Sequence, residues 1–121
     1  MILLDTSAVI ELLAGTEKGA AIRDHLESKA FAVSSITVNE LLVCIKQKEL
    51  IKGFINSVEV LPFDKETAIK SADLEASLYM KGKPTGKLDI FLAATCINHK
   101  IPIMTCDRHF SRIKDLDVIL I

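Results

Sequence analysis

The amino-acid sequence predicts a three-layer α/β/α sandwich, in which helices cover both faces of a central parallel sheet. Short apolar runs typical of buried strands alternate with segments whose apolar residues recur at helical spacing, and this alternation is typical of α/β proteins. Half of the 121 residues are hydrophobic, and no stretch has the composition of a linker. We therefore expect a single domain over residues 1–121.

The first elements are a strand, two helices and a second strand. Residues 1–4 are apolar and end at Asp5, after which apolar residues at helical spacing predict a short helix that stops at Gly15. A second helix is expected at 17–28 and a second strand at 30–34.

The middle of the chain is predicted to continue the alternation. Thr37 and Glu40 have the spacing of a capping box, which predicts a helix from Thr37 to about Lys48. One or two helical turns are expected at 50–56, and a third strand at 58–63.

The last part is predicted to contain two longer helices and two strands. Asp64 is expected to cap the first of these helices, and the loop 81–87 to end it. The second helix is expected from Leu88 onward. The residues that recur on one face of the first long helix are Ala68, Ala72, Ala76 and Tyr79. The remaining elements are a strand at 101–105, a short helix from about Arg108 and a strand at 118–121.

Composition limits the classes of function. The formal net charge of −1 is not the basic excess typical of passive nucleic-acid binders, so a nucleic-acid site would need locally concentrated positive charge or a metal. The N-terminus lacks the pattern of a signal peptide, and no apolar run is as long as a membrane span. We therefore expect a soluble cytoplasmic protein. Cys44, Cys96 and Cys106 lack metal-binding spacing and are expected to be buried, reduced thiols.

Four acidic residues are predicted to face one edge of the sheet. Ligands of open parallel sheets bind beyond the carboxyl ends of the strands. Asp5 follows the first strand and Asp107 the fourth, while Glu40 and Asp89 lie in the first turns of their helices. Each acid also has a purely structural explanation, because the three aspartates could cap helices and Glu40 could pair with Thr37.

Clustered carboxylates raise one another's pKa unless a cation lies among them. Carboxylate and water oxygens are the ligands that Mg²⁺ or Mn²⁺ prefers, whereas the cysteines and histidines are too scattered for a zinc site. A metal of this kind activates water and neutralises charge on a phosphodiester, which favours hydrolysis at phosphorus.

The chain resembles the PIN-domain ribonucleases, and within them the small VapC-type toxins. The resemblance covers essentially the whole sequence and rests on four blocks in order: Asp5-Thr6-Ser7, Asn39-Glu40-Leu41-Leu42, Leu-Asp-Ile-Phe-Leu-Ala-Ala at 88–94, and Thr-Cys-Asp-Arg-His-Phe at 105–110. It implies a PIN-like fold and a Mg²⁺- or Mn²⁺-dependent endoribonuclease that belongs to a toxin–antitoxin pair.

The resemblance also implies roles for individual residues. Asp5 and Asp89 would be the firmest metal ligands. Glu40 would bind through water or orient the attacking water, and Asp107 would serve a second metal or the outer shell. The hydroxyl residues that would steady these acids are Thr6 and Thr105. His109 departs from the pattern because some relatives carry a further acid there, so the choice between one and two metals stays open.

The partners implied by the resemblance are an RNA substrate, a second copy of the chain in a homodimer, and a cognate antitoxin that lies across the active cleft. Four basic residues are expected to flank the acidic edge, where they would contact RNA phosphates or remain solvated: Lys83, Lys87, Arg108 and Arg112. Three apolar residues of the first helices are expected in the core, with an interface as the alternative: Ile10, Leu13 and Ile22.

Other classes fit the residues less well. A haloacid-dehalogenase-like phosphatase needs a second Asp where this chain has Ser7, and a response-regulator receiver needs paired acids after the first strand. A nuclease of RNA maturation and a non-catalytic interaction or signalling module remain as alternatives.

Overall fold

A five-stranded, fully parallel sheet forms the centre of the computed structural model, which describes residues 1–44 and 46–121. The strands lie in the order β3-β2-β1-β4-β5, and Leu3 of β1 pairs with Ala32 on one side and Ile103 on the other. The strand bounds are β1 Ile2–Leu4, β2 Phe31–Ser34, β3 Glu59–Leu61, β4 Ile103–Thr105 and β5 Val118–Leu120. Each strand lies where the sequence predicts one and is shorter than predicted, with the largest differences at β3 and β4.

Six α-helices and one 3₁₀ helix connect these strands in the described part of the chain. Their bounds are α1 Thr6–Ala14, α2 Glu17–Leu26, α3 Ser35–Val43, α4 Lys48–Ser57, α5 Lys65–Met80, α6 Lys87–His99 and the 3₁₀ helix Arg108–Arg112. The predicted stop of α1 at Gly15 is confirmed: its φ of 67° is a left-handed conformation that glycine adopts without strain.

The start of α3 differs from the prediction. Ser34 caps this helix, because the Ile36 N–H donates to Ser34 Oγ at 3.1 Å. The capping-box prediction is therefore wrong: Thr37 lies within the first turn and is fully buried, and the Glu40 side chain contacts Thr6 instead.

The prediction of one continuous helix to about Lys48 is also wrong. The helix α3 ends at Val43, and α4 begins at Lys48 after Gln47, which has a left-handed φ of 58°. Ile45, which the predicted helix included, lies outside the described residues.

Two apolar clusters cover the two faces of the sheet. Leu3 belongs to the cluster under α5 and α6, whereas Ile2 and Leu4 belong to the cluster under α1 to α4. Successive side chains of a strand point to opposite faces, so the two clusters confirm the three-layer prediction.

Several predictions of burial are wrong. Ile22 is fully buried, but Ile10 is 50% exposed and Leu13 is only partly buried. Cys96 is buried, whereas Cys106 is partly exposed and Cys44 is exposed. On α5, the residues buried against the core are Thr67, Ser71 and Leu78, whereas three of the four residues that recur on one face are exposed: Ala72, Ala76 and Tyr79. Spacing along a helix identifies a face but does not show which neighbouring element covers it.

The strand order reverses between β1 and β4. The strands β1, β2 and β3 follow one another toward one edge of the sheet, and β4 lies on the other side of β1. Ligand sites of open parallel sheets lie at such a reversal, beyond the carboxyl ends of the strands. No described helix is long and apolar enough to cross a membrane.

Candidate active site

Asp5 lies at the reversal of the sheet, directly after β1, and is 4% exposed. Its Oδ1 accepts the Ala8 N–H at 2.9 Å, which makes Asp5 the N-cap of α1, and also the Ser7 hydroxyl at 2.7 Å. Its Oδ2 accepts the Thr105 hydroxyl, at the end of β4, at 2.6 Å. The capping explanation of Asp5 is thus correct but accounts for only one of three donors.

These contacts hold the Asp5 carboxylate in a buried position, and burial is unfavourable for its negative charge. Burial raises the pKa of Asp5 and the negative charge of Asp107 adds to the increase, although the three hydrogen bonds oppose it. A carboxylate has about four lone-pair positions, and three are used here, which leaves Oδ2 one direction for a further partner. A cation in that direction would offset the cost of burial.

Hydroxyl groups fasten the turn after β4 to the turn after β1. Thr105 Oγ1 accepts the Asp107 N–H at 2.9 Å, and Ser7 Oγ accepts the Cys106 N–H at 3.1 Å. Ser7 is not among the predicted site residues, although it lies two residues after Asp5 and belongs to the Asp5-Thr6-Ser7 block. The position of Asp107 therefore depends on the same hydroxyl that holds Asp5.

Glu40 reaches the same region from α3. The Thr6 hydroxyl donates to Glu40 Oε1 at 2.6 Å, and the Thr6 and Thr37 hydroxyl oxygens lie 3.2 Å apart. Thr6 thus contacts one of the predicted acids, Glu40, and Thr105 contacts two, Asp5 and Asp107. The buried Thr37 is a fourth hydroxyl residue at this site, after Ser7, Thr6 and Thr105, and the capping-box interpretation did not predict its position.

Asp89 lies in the first turn of α6, whose N-cap is Gly86. The alternative that Asp89 is an N-cap is therefore wrong. Burial raises the pKa of Asp89, and the negative charges of Asp107, Asp5 and Glu40 raise it further, while His109 opposes them. The structure therefore brings the other three predicted acids within electrostatic range of Asp89.

Asp107 is the N-cap of the 3₁₀ helix. Its Oδ1 accepts the His109 N–H at 2.9 Å and lies 2.8 Å from His109 Nδ1. The backbone hydrogen bond is the main reason that the pKa of Asp107 is lowered, and the charges of His109 and Arg112 contribute. Asp107 thus remains a charged, partly exposed carboxylate at the rim of the group.

The four acids form an open group rather than a closed cage. Within residues 1–44 and 46–121, no three His, Cys, Asp or Glu side chains lie close enough together to hold a metal ion between them. Mg²⁺ retains several waters and commonly uses one or two carboxylates, so a closed cage is not its usual site. The donors fit such an ion, because all four predicted ligands are carboxylates and the pKa values of Asp5 and Asp89 are raised by burial and by neighbouring acids.

The four predicted basic residues differ in their surroundings. Lys87 Nζ forms a salt bridge with Glu75 at 2.7 Å, and Arg112 donates to the Pro84 carbonyl. Lys83 and Arg112 line a cleft at the end of α5. Arg108 is exposed beside Asp107.

The family follows from a comparison with known domains. A model of the PIN domain matches residues 2–116. The chain belongs to the PIN-domain family. It is 31% identical to the VapC ribonuclease Y4jK of Sinorhizobium fredii, across 98% of this chain and 96% of that protein. This relative places the chain among the VapC ribonucleases.

Two further similarities extend over nearly the whole PIN domain. The chain is 27% identical to the tRNA(fMet)-specific endonuclease VapC of Salmonella typhimurium, across 96% of this chain and 94% of that protein. Its fold is similar to the crystal structure of DNA-bound VapBC from Salmonella typhimurium, with a TM-score of 0.80, 25% identity, and coverage of 98% and 96% of the two chains. The PIN-like three-layer fold predicted from the sequence is thereby confirmed.

Proposed function

We propose that this PIN-domain protein is a metal-dependent endoribonuclease and the toxin of a VapBC-type toxin–antitoxin pair. The observation that carries the proposal is the Asp5 carboxylate, which is buried at the reversal of the sheet and held by a hydroxyl from β4. The names of the relatives support the same class of reaction.

Asp5 and Asp89 are the proposed ligands of Mg²⁺ or Mn²⁺, and the metal would activate water and neutralise charge on the phosphate. Glu40 is proposed to bind through water or to orient the attacking water, and the hydrogen bond from Thr6 to its Oε1 leaves Oε2 for this role. Asp107 is proposed as an outer ligand, and Thr6 and Thr105 as the groups that position the acids.

The proposed reaction is hydrolysis of a phosphodiester bond within an RNA strand. The oxygen of a water molecule bonds to phosphorus, and one phosphorus–oxygen ester bond breaks. The water loses a proton to one of the carboxylates of the site or to solvent. The leaving oxygen gains a proton and becomes a hydroxyl group. The products are one strand that ends in a phosphate monoester and one that ends in a hydroxyl.

Basic residues near the acids are proposed to contact the RNA backbone. Arg108 follows Asp107 directly, and Lys87 precedes Asp89 by two residues, so both lie beside the proposed metal ligands. When RNA binds, the salt bridge between Lys87 and Glu75 would break and Lys87 would contact a phosphate group. Lys83 and Arg112 complete the proposed set of RNA contacts.

An exposed apolar groove supports the proposed antitoxin partner. A cavity of about 220 Å³ lies between α1, α3 and α4, with Ile10, Leu13 and Ile51 in its lining and Glu40 at its border. A protein segment in this groove would cover apolar surface and at the same time reach the acidic site. A homodimer and a location in the cytoplasm, where cellular RNA is found, are part of the same proposal.

The experiment that tests the proposal is cleavage of a panel of cellular RNAs by the purified protein with Mg²⁺, Mn²⁺ or EDTA. The panel includes initiator tRNA, because two relatives carry a name specific for it. We expect metal-dependent cutting that Asp89→Asn abolishes and that Asp73→Asn, an exposed change on α5, leaves intact. Equal cutting by wild type and Asp89→Asn would contradict the assignment of the metal site.

The alternative of an RNA-maturation nuclease requires a different experiment. Expression of a toxin is expected to stop bacterial growth, and co-expression of a small DNA-binding protein encoded by the adjacent gene is expected to restore it. Metal-dependent RNA cleavage without growth arrest would favour maturation. Absence of cutting by protein free of bound inhibitor would favour a non-catalytic module.

A further inference from the structure

A cleft of about 540 Å³ between the end of α5, the loop before α6 and the turn before β5 concentrates positive charge. Half of its eight lining residues are cationic and only one, Asp115, is acidic. We call this the basic cleft and define it by its cations, Lys81, Lys83, Arg112 and Lys114. The whole chain has 15 basic and 16 acidic residues, so this local excess is not a consequence of overall composition.

The cations of the basic cleft lack direct salt-bridge partners in the described part of the chain. The nearby Lys87, by contrast, is paired with Glu75 at 2.7 Å. Like charges around one cleft repel each other, and a bound polyanion would remove that cost.

Hydrogen bonds fix the backbone from which these side chains extend. The Arg112 guanidinium donates to the Pro84 carbonyl, and the Lys83 N–H donates to the Leu78 carbonyl at 2.9 Å. The Gly82 N–H donates to the Tyr79 carbonyl at 3.0 Å. The loop backbone is therefore ordered and the Arg112 side chain is held before any ligand binds, which lowers the entropic cost of binding.

The 3₁₀ helix connects the basic cleft to the candidate active site. Asp107 caps the start of this helix and Arg112 is its last residue. At a rise of about 2 Å per residue, the two backbone positions lie about 10 Å apart. An RNA strand that passes the acids can therefore also reach the cleft.

We propose that the basic cleft binds a backbone phosphate of the RNA strand to one side of the bond that is cut. The natural substrates would then be RNA strands that continue past the cleavage point, rather than short oligonucleotides. This inference rests on the proposed ribonuclease function and adds to it a feature of the substrate.

The test measures binding of a long, fluorescein-labelled single-stranded RNA in EDTA, by fluorescence anisotropy over a series of salt concentrations. The test variant is Lys83→Gln/Lys114→Gln. The control is Lys29→Gln/Lys52→Gln, which removes the same charge from exposed positions outside the cleft. A third variant, Lys83→Arg/Lys114→Arg, retains the charge. Circular dichroism establishes that each variant is folded.

We expect the test variant to bind the long RNA more weakly than the control does. Each lost contact to a single-stranded phosphate reduces the slope of log affinity against log salt by about 0.7, so two contacts reduce it by about 1.4. The ratio of the control variant's RNA affinity to that of the test variant should then fall about sevenfold as salt is raised from about 50 to about 200 mM. The arginine variant should behave as wild type, and the deficit should be confined to the long RNA and absent with a labelled trinucleotide.

Two results would overturn the inference, and they can be distinguished. Equal slopes for the test and control variants, with RNA still cut by the wild-type protein in Mg²⁺ or Mn²⁺, would refute the basic cleft alone. No binding and no cutting of any RNA by the wild-type protein would refute the proposed function, and the inference with it.

Discussion

Asp5 and Asp64 perform the same local task in different surroundings. Each caps a helix by accepting a backbone N–H three residues further on, from Ala8 and Thr67 respectively, at 2.9 Å. The cap hydrogen bonds lower the pKa of the exposed Asp64, whereas burial raises the pKa of Asp5 even though two hydroxyls also donate to it. Capping therefore explains why an acid begins each helix, but it does not explain why one of them is buried.

The difference indicates that the burial of Asp5 serves something other than stability. A buried carboxylate whose pKa is raised opposes folding at neutral pH, and the neighbouring acids increase this cost at Asp89. The protein would gain from a bound cation at this edge, whereas the exposed Asp64 has no such need.

The largest effect is expected on RNA cleavage. Asp5→Asn removes the charge of a proposed metal ligand with little change in volume and should lower kcat by about 100- to 1,000-fold. Asp64→Asn makes the same chemical change at an ordinary cap and should leave kcat unchanged. Comparable losses of kcat in both variants would show that Asp5 contributes to cleavage only as a helix cap.

The hydroxyl of Thr105 should be needed for stability as well as activity. It donates to the buried Asp5 and accepts the partly buried Asp107 N–H, so Thr105→Val leaves both groups without this partner and should cost about 1–3 kcal/mol. Thr95→Val is the matched control, because this equally buried hydroxyl only donates to the Phe91 carbonyl of its own helix. Urea unfolding in EDTA measures both, and a larger loss in Thr95→Val would contradict the account.

The two environments should give opposite dependences on pH without metal. The raised pKa of Asp89 means that the folded state binds its proton more readily, so stability falls as pH rises through the raised value. Asp89→Asn should therefore raise Tm at pH 7, and the gain should disappear below about pH 4. For Asp64, whose pKa is lowered, the sign reverses, because its ionised form stabilises the fold.

These signs can be checked by thermal unfolding in EDTA between acid and neutral pH. Asp64→Asn should lower Tm at neutral pH, and the difference from wild type should shrink in acid. Added Mg²⁺ should raise the Tm of the wild type more than that of Asp89→Asn. A lower Tm for Asp89→Asn at neutral pH without metal would indicate that its charge stabilises the start of α6.

The smallest effect is expected at the exposed pair of Lys87 and Glu75. Both side chains are well exposed, at 63% and 40%, so Glu75→Gln should change the free energy of unfolding by less than about 0.5 kcal/mol. The same change frees Lys87 and should strengthen RNA binding slightly at low salt, as measured by anisotropy. Weaker RNA binding in Glu75→Gln would argue against Lys87 as an RNA contact.

Local patterns in the sequence predict the strands and the edge at which the acids gather. Apolar runs mark all five strands, and strand ends place Asp5 and Asp107 at the same edge because the strands are parallel. What could not be predicted depends on contacts between distant residues. The contact of Glu40 with Thr6 spans 34 positions, and only the folded chain shows that it replaces the capping box.

Two other differences between the prediction and the structure also depend on contacts between distant residues. Ser34 could cap α3 only because β2 ends there, and the sequence offers a second plausible cap three residues later at Thr37. Ile10 has the spacing of a core residue, yet no described element covers it fully, and it is 50% exposed. Helical spacing shows which residues share a face, whereas tertiary packing decides whether that face is buried.

The most direct test of the central claim is calorimetric titration of Mn²⁺ into the wild-type protein, Asp5→Asn and Asp64→Asn. We expect wild type and Asp64→Asn to bind the ion equally, and Asp5→Asn to bind it about tenfold more weakly or worse. Equal binding by Asp5→Asn and wild type would contradict the claim that the buried cap is a metal ligand. So would an equal loss of binding in the two asparagine variants.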